Sequence, residues 1–263
     1  MKTSSLSPLN SALLVVLMAG LASGCASTSG TSATPEVKLS TPKRVFPELQ
    51  GPITNKKAIL AVNDPLESFN RTMYNFNTNF DRYVFLPVLS GYQLVMPDIA
   101  EEGVSNFFDN LGELRNFYNN LLQGELTDTA VTVGRFAVNT TVGILGLWDP
   151  ASHIGMNERR EDFGQTLGKW GVGRGAYLVL PIFGPSSVRD TAGLATDNVI
   201  KQEVDMLGIY DNCWDTGCTA YTALEAVDER RGVGFRYYET GTPFEYELVR
   251  YANTRMREIL VSK

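Results

Sequence analysis

The stretch Asn63-Asp64-Pro65-Leu66-Glu67-Ser68-Phe69-Asn70-Arg71-Thr72-Met73-Tyr74-Asn75-Phe76-Asn77-Thr78-Asn79-Phe80 decides the fold. Asp64 stands where an N-cap carboxylate takes orphan backbone N–H groups. Pro65 then occupies the first helical position and Glu67 the third, within reach of the cap. Behind that start, Leu66, Phe69, Met73, Phe76 and Phe80 recur at steps of three and four, which marks one face of an α-helix. The opposite face carries Asn70, Asn75, Asn77 and Asn79, uncharged amides where charged residues normally meet water. Two readings follow. Either the Phe stripe faces a core and the amides form a neutral outer face, or the helix lies where charge is costly, such as a membrane interface.

Working outward, the chain stays helical in pattern. After a short apolar connector containing Pro87 and Pro97, Val104, Phe107, Phe108, Leu111, Leu114, Phe117, Leu121 and Leu122 fall at helical spacing, with Gly112 a point of bending or splitting. A third helix is expected from about Thr127 and Asp128, carrying Val131, Val133, Phe136 and Val138. Tyr221, Leu224 and Val227 mark another, and Phe244, Leu248, Tyr251 and Ile259 a last one, its stripe interrupted by Arg255. Period-two alternation is nowhere sustained, so strands should be few and the fold mainly α, a bundle of amphipathic helices over residues 63–263. The uncharged stretches 136–148 and 175–188 are too short, and too rich in Thr, Gly or Pro, for a single bilayer-spanning helix, which needs about 20 residues.

Upstream, residues 1–24 read as a signal peptide: Lys2, then the apolar run from Ala12 to Leu21, then small residues. Leu21-Ala22-Ser23-Gly24-Cys25 resembles the lipobox of bacterial lipoproteins, in which the Cys is acylated and becomes the first residue after cleavage; here the large aliphatic residue sits one position early. Two or more acyl chains hold a membrane stably where one does so marginally. By the same resemblance, Ala26 in place of Asp implies sorting to the outer membrane, with the chain facing the periplasm. Residues 25–62, Ser/Thr/Pro-rich at first and then mixed, read as a lipidated tether. In an oxidising compartment Cys213 and Cys218 make a local disulfide the favoured reading; the spacing is C-x₄-C, not the redox pattern C-x-x-C.

Composition narrows the chemistry. The 263 residues hold 23 basic against 29 acidic side chains, so no overall positive charge is present to neutralise a nucleic-acid backbone. One His and three Cys leave little material for His-based catalysis or a Cys/His metal cage, and neither a cofactor nor a metal is expected. His153 lies in a polar turn. Gly171-Val172-Gly173-Arg174-Gly175-Ala176 satisfies a loose dinucleotide pattern but lacks the strand before it and the helix after it. Ser186 and Ser187 read as a helix-capping turn, so the chain is not read as an enzyme. The run Tyr177-Leu178-Val179-Leu180-Pro181-Ile182-Phe183 must be buried in protein or lipid.

The chain resembles the MlaA family, also called VacJ, of outer-membrane lipoproteins that maintain lipid asymmetry. The matching stretches are Asn63 to Asn77 as quoted above, Gly103-Val104-Ser105-Asn106-Phe107-Phe108-Asp109-Asn110-Leu111 with Asn119-Asn120-Leu121-Leu122-Gln123-Gly124, Asp162-Phe163-Gly164-Gln165-Thr166-Leu167-Gly168, and Leu180-Pro181-Ile182-Phe183-Gly184-Pro185-Ser186-Ser187-Val188-Arg189-Asp190. They cover most of residues 60–200. The resemblance implies a ring-like helical body in the inner leaflet of the outer membrane, associated with a trimeric porin. It further implies that phospholipid misplaced in the outer leaflet is passed to a soluble periplasmic carrier. Leu66, Phe69, Met73 and Phe76 are then candidates for the lipid path, and Tyr177, Leu178, Leu180, Ile182 and Phe183 for a membrane-contacting or pore-rim segment. Two further readings stay open: a structural lipoprotein that scaffolds porins or another envelope complex without moving lipid, and a lipid hydrolase using Ser186 or Ser187.

Overall fold

The computed structural model describes residues 62–210, 216–239 and 243–263, all within one compact unit. Residues 1–61, and with them the signal peptide, Cys25 and nearly all of the tether, lie outside the described residues, as does Cys213. The elements are α1 (Glu67–Phe80), a π-helical turn (Asp81–Phe85), α2 (Leu86–Val95), α3 (Asp98–Gln123), α4 (Leu126–Thr141), α5 (Pro150–His153), α6 (Phe163–Lys169), β1 (Tyr177–Leu180), β2 (Gly184–Ser187), α7 (Val188–Val204), α8 (Thr216–Gly232) and α9 (Glu245–Val261). The fold is mainly α, as expected.

Local chemistry explains most of the boundaries. Asp149, Asp162 and Ser187 cap α5, α6 and α7, accepting from the backbone N–H groups of Ser152, Gln165 and Asp190. The Ser187 turn thus does what its sequence suggested. Pro97 precedes α3 and Gly124, at φ +80°, ends it in the left-handed conformation. Gly112 does not split that helix into two elements; α3 runs unbroken for 26 residues. The expected connector around Pro87 is itself helical: α1, the π-helical turn and α2 follow one another without a break, and Pro87 falls just after the π-helical turn, where the regular α-helical hydrogen-bond ladder is already interrupted.

The start of α1 departs from expectation. Leu66 occupies the N-cap position and no side chain caps the helix. The Asp64 carboxylate instead accepts from Asn70 Nδ2 (2.7 Å), the Tyr246 hydroxyl (2.6 Å) and Arg250 Nη1 (2.8 Å), so it ties α1 to α9. Glu67 pairs with Arg71 on its own helix. A long-range ion pair held out of water outcompetes the local cap.

β1 and β2 form an antiparallel hairpin, Tyr177 opposite Ser187 and Leu180 opposite Gly184. Helix packing then runs round a closed circuit: α1 on β1, β2 on α9 and α7, α9 and α7 on α6, α6 on α3, α3 and α2 on α8, and α2 back through the π-helical turn to α1. Within this circuit the small apolar core is three tyrosines and a valine: Tyr74, Tyr177, Tyr246 and Val179. Tyr74 meets Tyr237, Tyr238 and Tyr246 edge to face at 5.0, 5.6 and 5.6 Å. Elsewhere the helices touch backbone to backbone. A Cβ on Gly193 of α7 would overlap the Gly164 backbone of α6, so only glycine permits that approach.

Candidate functional site

The distinguishing feature of the body is what it buries. Among the described residues, Tyr74, Leu89, Ala151, Tyr177, Val179, Cys218 and Tyr246 make up the buried apolar set, and buried polar or charged residues outnumber them. α1 shows how this arises. Asn70 and Asn77, two helical turns apart, face inward and are buried, while Phe69 and Phe76 face outward, 43% and 45% exposed. The Asn70 amide donates to Tyr177 O (3.0 Å) and accepts from Val179 N (2.8 Å). The Asn77 amide donates to Leu180 O (2.9 Å) and accepts from Ile182 N (2.7 Å). Each side chain therefore completes hydrogen bonds of the hairpin backbone as a neighbouring strand would. Asn70 and Asn77 thus lie on the inner face together with Tyr74 and Thr78, while Asn75 and Asn79 stay exposed, and the reading of a Phe stripe packed on the core is reversed.

α3 repeats the pattern with Asn110, Glu113, Asn116, Asn119 and Asn120 buried and Leu121 and Leu122 exposed. Its inner face meets a buried arginine of α4. Arg135 pairs with Glu113 (2.5 Å) and Asp149 (3.2 Å), and donates to Ser152 Oγ and Met156 O. Burial raises the Glu113 carboxyl above the usual range although Arg135 and Asn116 pull it down. For Asp149 burial is outweighed by the hydrogen bonds from Ser152 and Asn139 and by Arg135, which hold it down to about 2. On α9, Arg257 forks onto Asp162 (2.5 Å) and reaches Asp190 (3.0 Å); this overrides burial and holds Asp162 down to about 2. An interior of amides and paired charges meets most of its hydrogen-bonding needs from within, though a few buried atoms, among them Asn110 Oδ1 and Gln165 Oε1, have no hydrogen-bond partner among the described residues.

The outer surface has the opposite character. Tyr83, Val88, Leu94, Val95 and Ile99 are exposed along α2 and its flanks, Leu94 to 86%. The turn after α4 exposes Val142, Ile144, Leu145, Leu147 and Trp148. Ile144 (φ 54°) and Leu145 (φ 59°) there adopt the left-handed conformation that glycine normally fills; such strain costs on the order of 1–3 kcal/mol per residue and persists only where surroundings enforce it. Enforcement comes from Gly143, where a Cβ would overlap Trp148 O, and from Gly146, packed on the Asn110 side chain. The hairpin tip repeats the device: Ile182 sits at φ 70°, held by Asn77, and Phe183 is 66% exposed. Exposed apolar area on this scale marks a surface made for something other than water.

Of the residues singled out from sequence, Leu66, Phe69 and Phe76 lie together on the outer face of α1, while Met73 is half-buried against the aromatic core. Ile182 and Phe183 are exposed and Leu178 and Leu180 half-buried. Tyr177 is a correction: at 1% exposure it is part of the core and contacts no outer surface, because strand alternation turns it and Val179 inward. Cys218 is buried and disulfide-bonded. His153 Nδ1 meets Asp149 O at 2.9 Å and its ring lies 5.7 Å from that of Trp148. Sequence reasoning missed Tyr83, Leu94, Val95 and Ile99. The signal for the first three was the uncharged run 83–97, passed over as a connector for its two prolines; Ile99 lies just past it, after Asp98.

No helix among the described residues is long and apolar enough to cross a membrane. One cavity of about 550 Å³ opens between α6, α9 and the loop 158–162, lined by Arg115, Arg159, Arg257 and Lys263 together with Asp128, Glu158 and Glu161.

The model of the MlaA lipoprotein family matches residues 62–259. Proteins described as "Intermembrane phospholipid transport system lipoprotein MlaA" are 42% identical over 138 residues in Escherichia coli (51% of this chain, 55% of the relative) and 40% identical over 146 residues in Haemophilus influenzae (54% and 58%). An uncharacterised protein of Rickettsia conorii is 38% identical over 211 residues, 79% of this chain and 82% of its own. The chain thus spans little more than half the length of most curated relatives it matches. A solved structure described as "Structural basis for maintenance of bacterial outer membrane lipid asymmetry" superposes with a TM-score of 0.62 at 29% identity, covering 75% of this chain and 98% of that one. With a family match that begins at the body's first described residue and reaches into its last helix, the chain belongs to the MlaA lipoprotein family.

Proposed function

We propose that this protein is an outer-membrane lipoprotein, anchored through Cys25 and facing the periplasm, that removes phospholipid mislocalised to the outer leaflet and passes it to a soluble periplasmic carrier beside a trimeric porin. The observation that carries this reading is the reversed burial of α1, with Asn70 and Asn77 inside and Leu66, Phe69 and Phe76 outside. A helix so oriented is stable where its outer surface meets acyl chains. No helix among the described residues is long and apolar enough to span, and in this reading the body rests within one leaflet. A phospholipid has a charged head and apolar tails, and its route needs both characters; the ion-paired cavity beside α6 and α9 and the outer Phe surface supply them. The names of the Escherichia coli and Haemophilus relatives point the same way. The reading includes no catalytic step: the Ser187 hydroxyl accepts from Asp190 N as a helix cap, and the Ser186 hydroxyl bonds Thr191.

The test is the amount of phospholipid exposed in the outer leaflet of cells lacking the protein, complemented with wild type, Cys25→Ala or Phe69→Asp. Exposure should rise on deletion and fall only with wild type. If it stays constant while porin levels or assembly change, the protein is a scaffold. If Phe69→Asp complements fully, the outer face of α1 is not where lipid travels.

A further inference from the structure

A second cavity, of about 180 Å³, lies between the start of β1 and α9, and its walls include Arg174, Tyr177, Thr254, Arg255 and Glu258. Two of these groups are polar, buried and unanswered. The Arg174 guanidinium makes one hydrogen bond, Nη2 to Asn253 Oδ1 at 3.0 Å, and its Nε and Nη1 are buried without a partner. The Tyr177 hydroxyl is also buried without a partner, on a side chain 1% exposed. The contrast with the rest of the body is sharp. Arg135, Arg189, Arg250 and Arg257 each meet a carboxylate within 3.0 Å, whereas no carboxylate among the described residues pairs with Arg174. The acids near it are engaged elsewhere: Glu258 with Arg255 at 2.5 Å, and Asp190 with Arg189 and Arg257.

A buried cation with free donors is costly unless an anion joins it. Burial lowers the Arg174 pKa and raises that of the Tyr177 phenol, and Arg174 Nε and Nη1 and the Tyr177 hydroxyl have no acceptor among the described residues. Arg174 and Arg255 against Glu258 leave the cavity one positive charge in excess. Its volume equals about six water molecules at ~30 Å³ each, room for a small oxyanion and a few waters and not for acyl chains.

We propose that Arg174 Nε and Nη1, together with the Tyr177 hydroxyl, form a binding site for a phosphate-type oxyanion. The anion's source is either free phosphate or a phospholipid headgroup whose tails stay outside. The site stands on its own geometry and does not depend on the transport reading.

The experiment compares full-length wild type, Arg174→Met and Tyr177→Phe in a non-ionic detergent at constant ionic strength. Thermal unfolding and binding are measured with inorganic phosphate, with phosphatidylglycerol in the micelles, and with diacylglycerol as the phosphate-free control. Without any anion, Arg174→Met should melt at or above wild type, since it removes an uncompensated buried charge. Phosphate or phosphatidylglycerol should raise the wild-type Tm; Tyr177→Phe should bind about tenfold more weakly, the loss of one charge-assisted hydrogen bond, and Arg174→Met, which loses two and a positive charge, more weakly still. A rise with inorganic phosphate identifies a free-anion site; a rise with phosphatidylglycerol alone identifies a headgroup site. The proposal fails if neither probe raises the wild-type Tm, or if the variants respond as wild type does. Tyr177→Phe removes only a hydroxyl that bonds nothing, so it folds and decides the question even where Arg174→Met does not.

Discussion

Replacing Asn70 with Ala tests the reversed interior most directly. Asn70 is fully buried, and its amide serves Tyr177 O, Val179 N and Asp64. Asp64 keeps Tyr246 and Arg250 after the substitution, but the two backbone groups of β1 are left unpaired on residues at most 1% exposed. An orphaned buried polar group costs about 1–3 kcal/mol, so Asn70→Ala should destabilise the body by about 3–5 kcal/mol. Against a total of roughly 5–15 kcal/mol for a domain, that is a large share. Phe69→Ala removes a larger apolar side chain from a position 43% exposed, and in detergent should cost about 1 kcal/mol or less, because much of its surface never leaves its surroundings. Urea unfolding in a non-ionic detergent measures both. With a slope of about 2–3 kcal/mol per molar, Asn70→Ala should lower the midpoint by roughly 1.5–2 M at unchanged slope. If Phe69→Ala shifts the midpoint more than Asn70→Ala does, the Phe face is the structural one and the reasoning is wrong.

Three further outcomes follow from the interior. Arg135→Met leaves Glu113 buried without its partner and should cost about 3–5 kcal/mol, with Glu113→Gln on that background recovering part of the loss; a double-mutant cycle by urea unfolding measures the coupling. Gly193→Ala drives a Cβ onto the Gly164 backbone and should cost about 1–3 kcal/mol, read as a lower thermal midpoint, whereas Gly112→Ala, with open space around it, should be neutral or stabilising. Acid should unfold the body through Asp149 and Asp162. Their folded pKa values are depressed to about 2 against about 3.9 unfolded, so their contribution is complete above pH 4 and disappears as pH falls from about 4 to 2. Each is partly exposed and contributes about 1–2 kcal/mol after screening; Glu113, whose pKa is raised, opposes them weakly. Asp162→Asn should therefore flatten the stability curve between pH 4 and 2, and an unchanged curve would remove Asp162 from the account.

The sequence determines periodicity more firmly than it determines which face is inside. The steps of three and four from Leu66 to Phe80 place a helix where one exists, and the stripe on 104–122 likewise finds α3. Both patterns are unchanged when the surroundings are exchanged, since a helix with Phe on one side and Asn on the other is equally amphipathic with either face buried. The sign has to come from the polar face. Charged residues there point to water, because an ionised group gives up hydration only against a partner. Amides are different: an Asn carries a donor and an acceptor on one short stem, the same pair a peptide group offers, and so can replace a strand neighbour, as Asn70 and Asn77 do on β1. A face of regularly spaced Asn with no Lys or Glu opposite a Phe stripe is thus itself evidence that the interior is polar. The same argument explains Asp64. A carboxylate before Pro65 reads as a local cap only while nothing distant competes, and the sequence does not reveal that Tyr246 and Arg250, some 180 residues later, will arrive beside it. Arg174 and Tyr177 were illegible for the same reason. Their missing partners are a property of the assembled walls and of no stretch of chain, which makes their unfilled hydrogen bonds the more specific guide to a ligand than the exposed Phe residues that first drew attention.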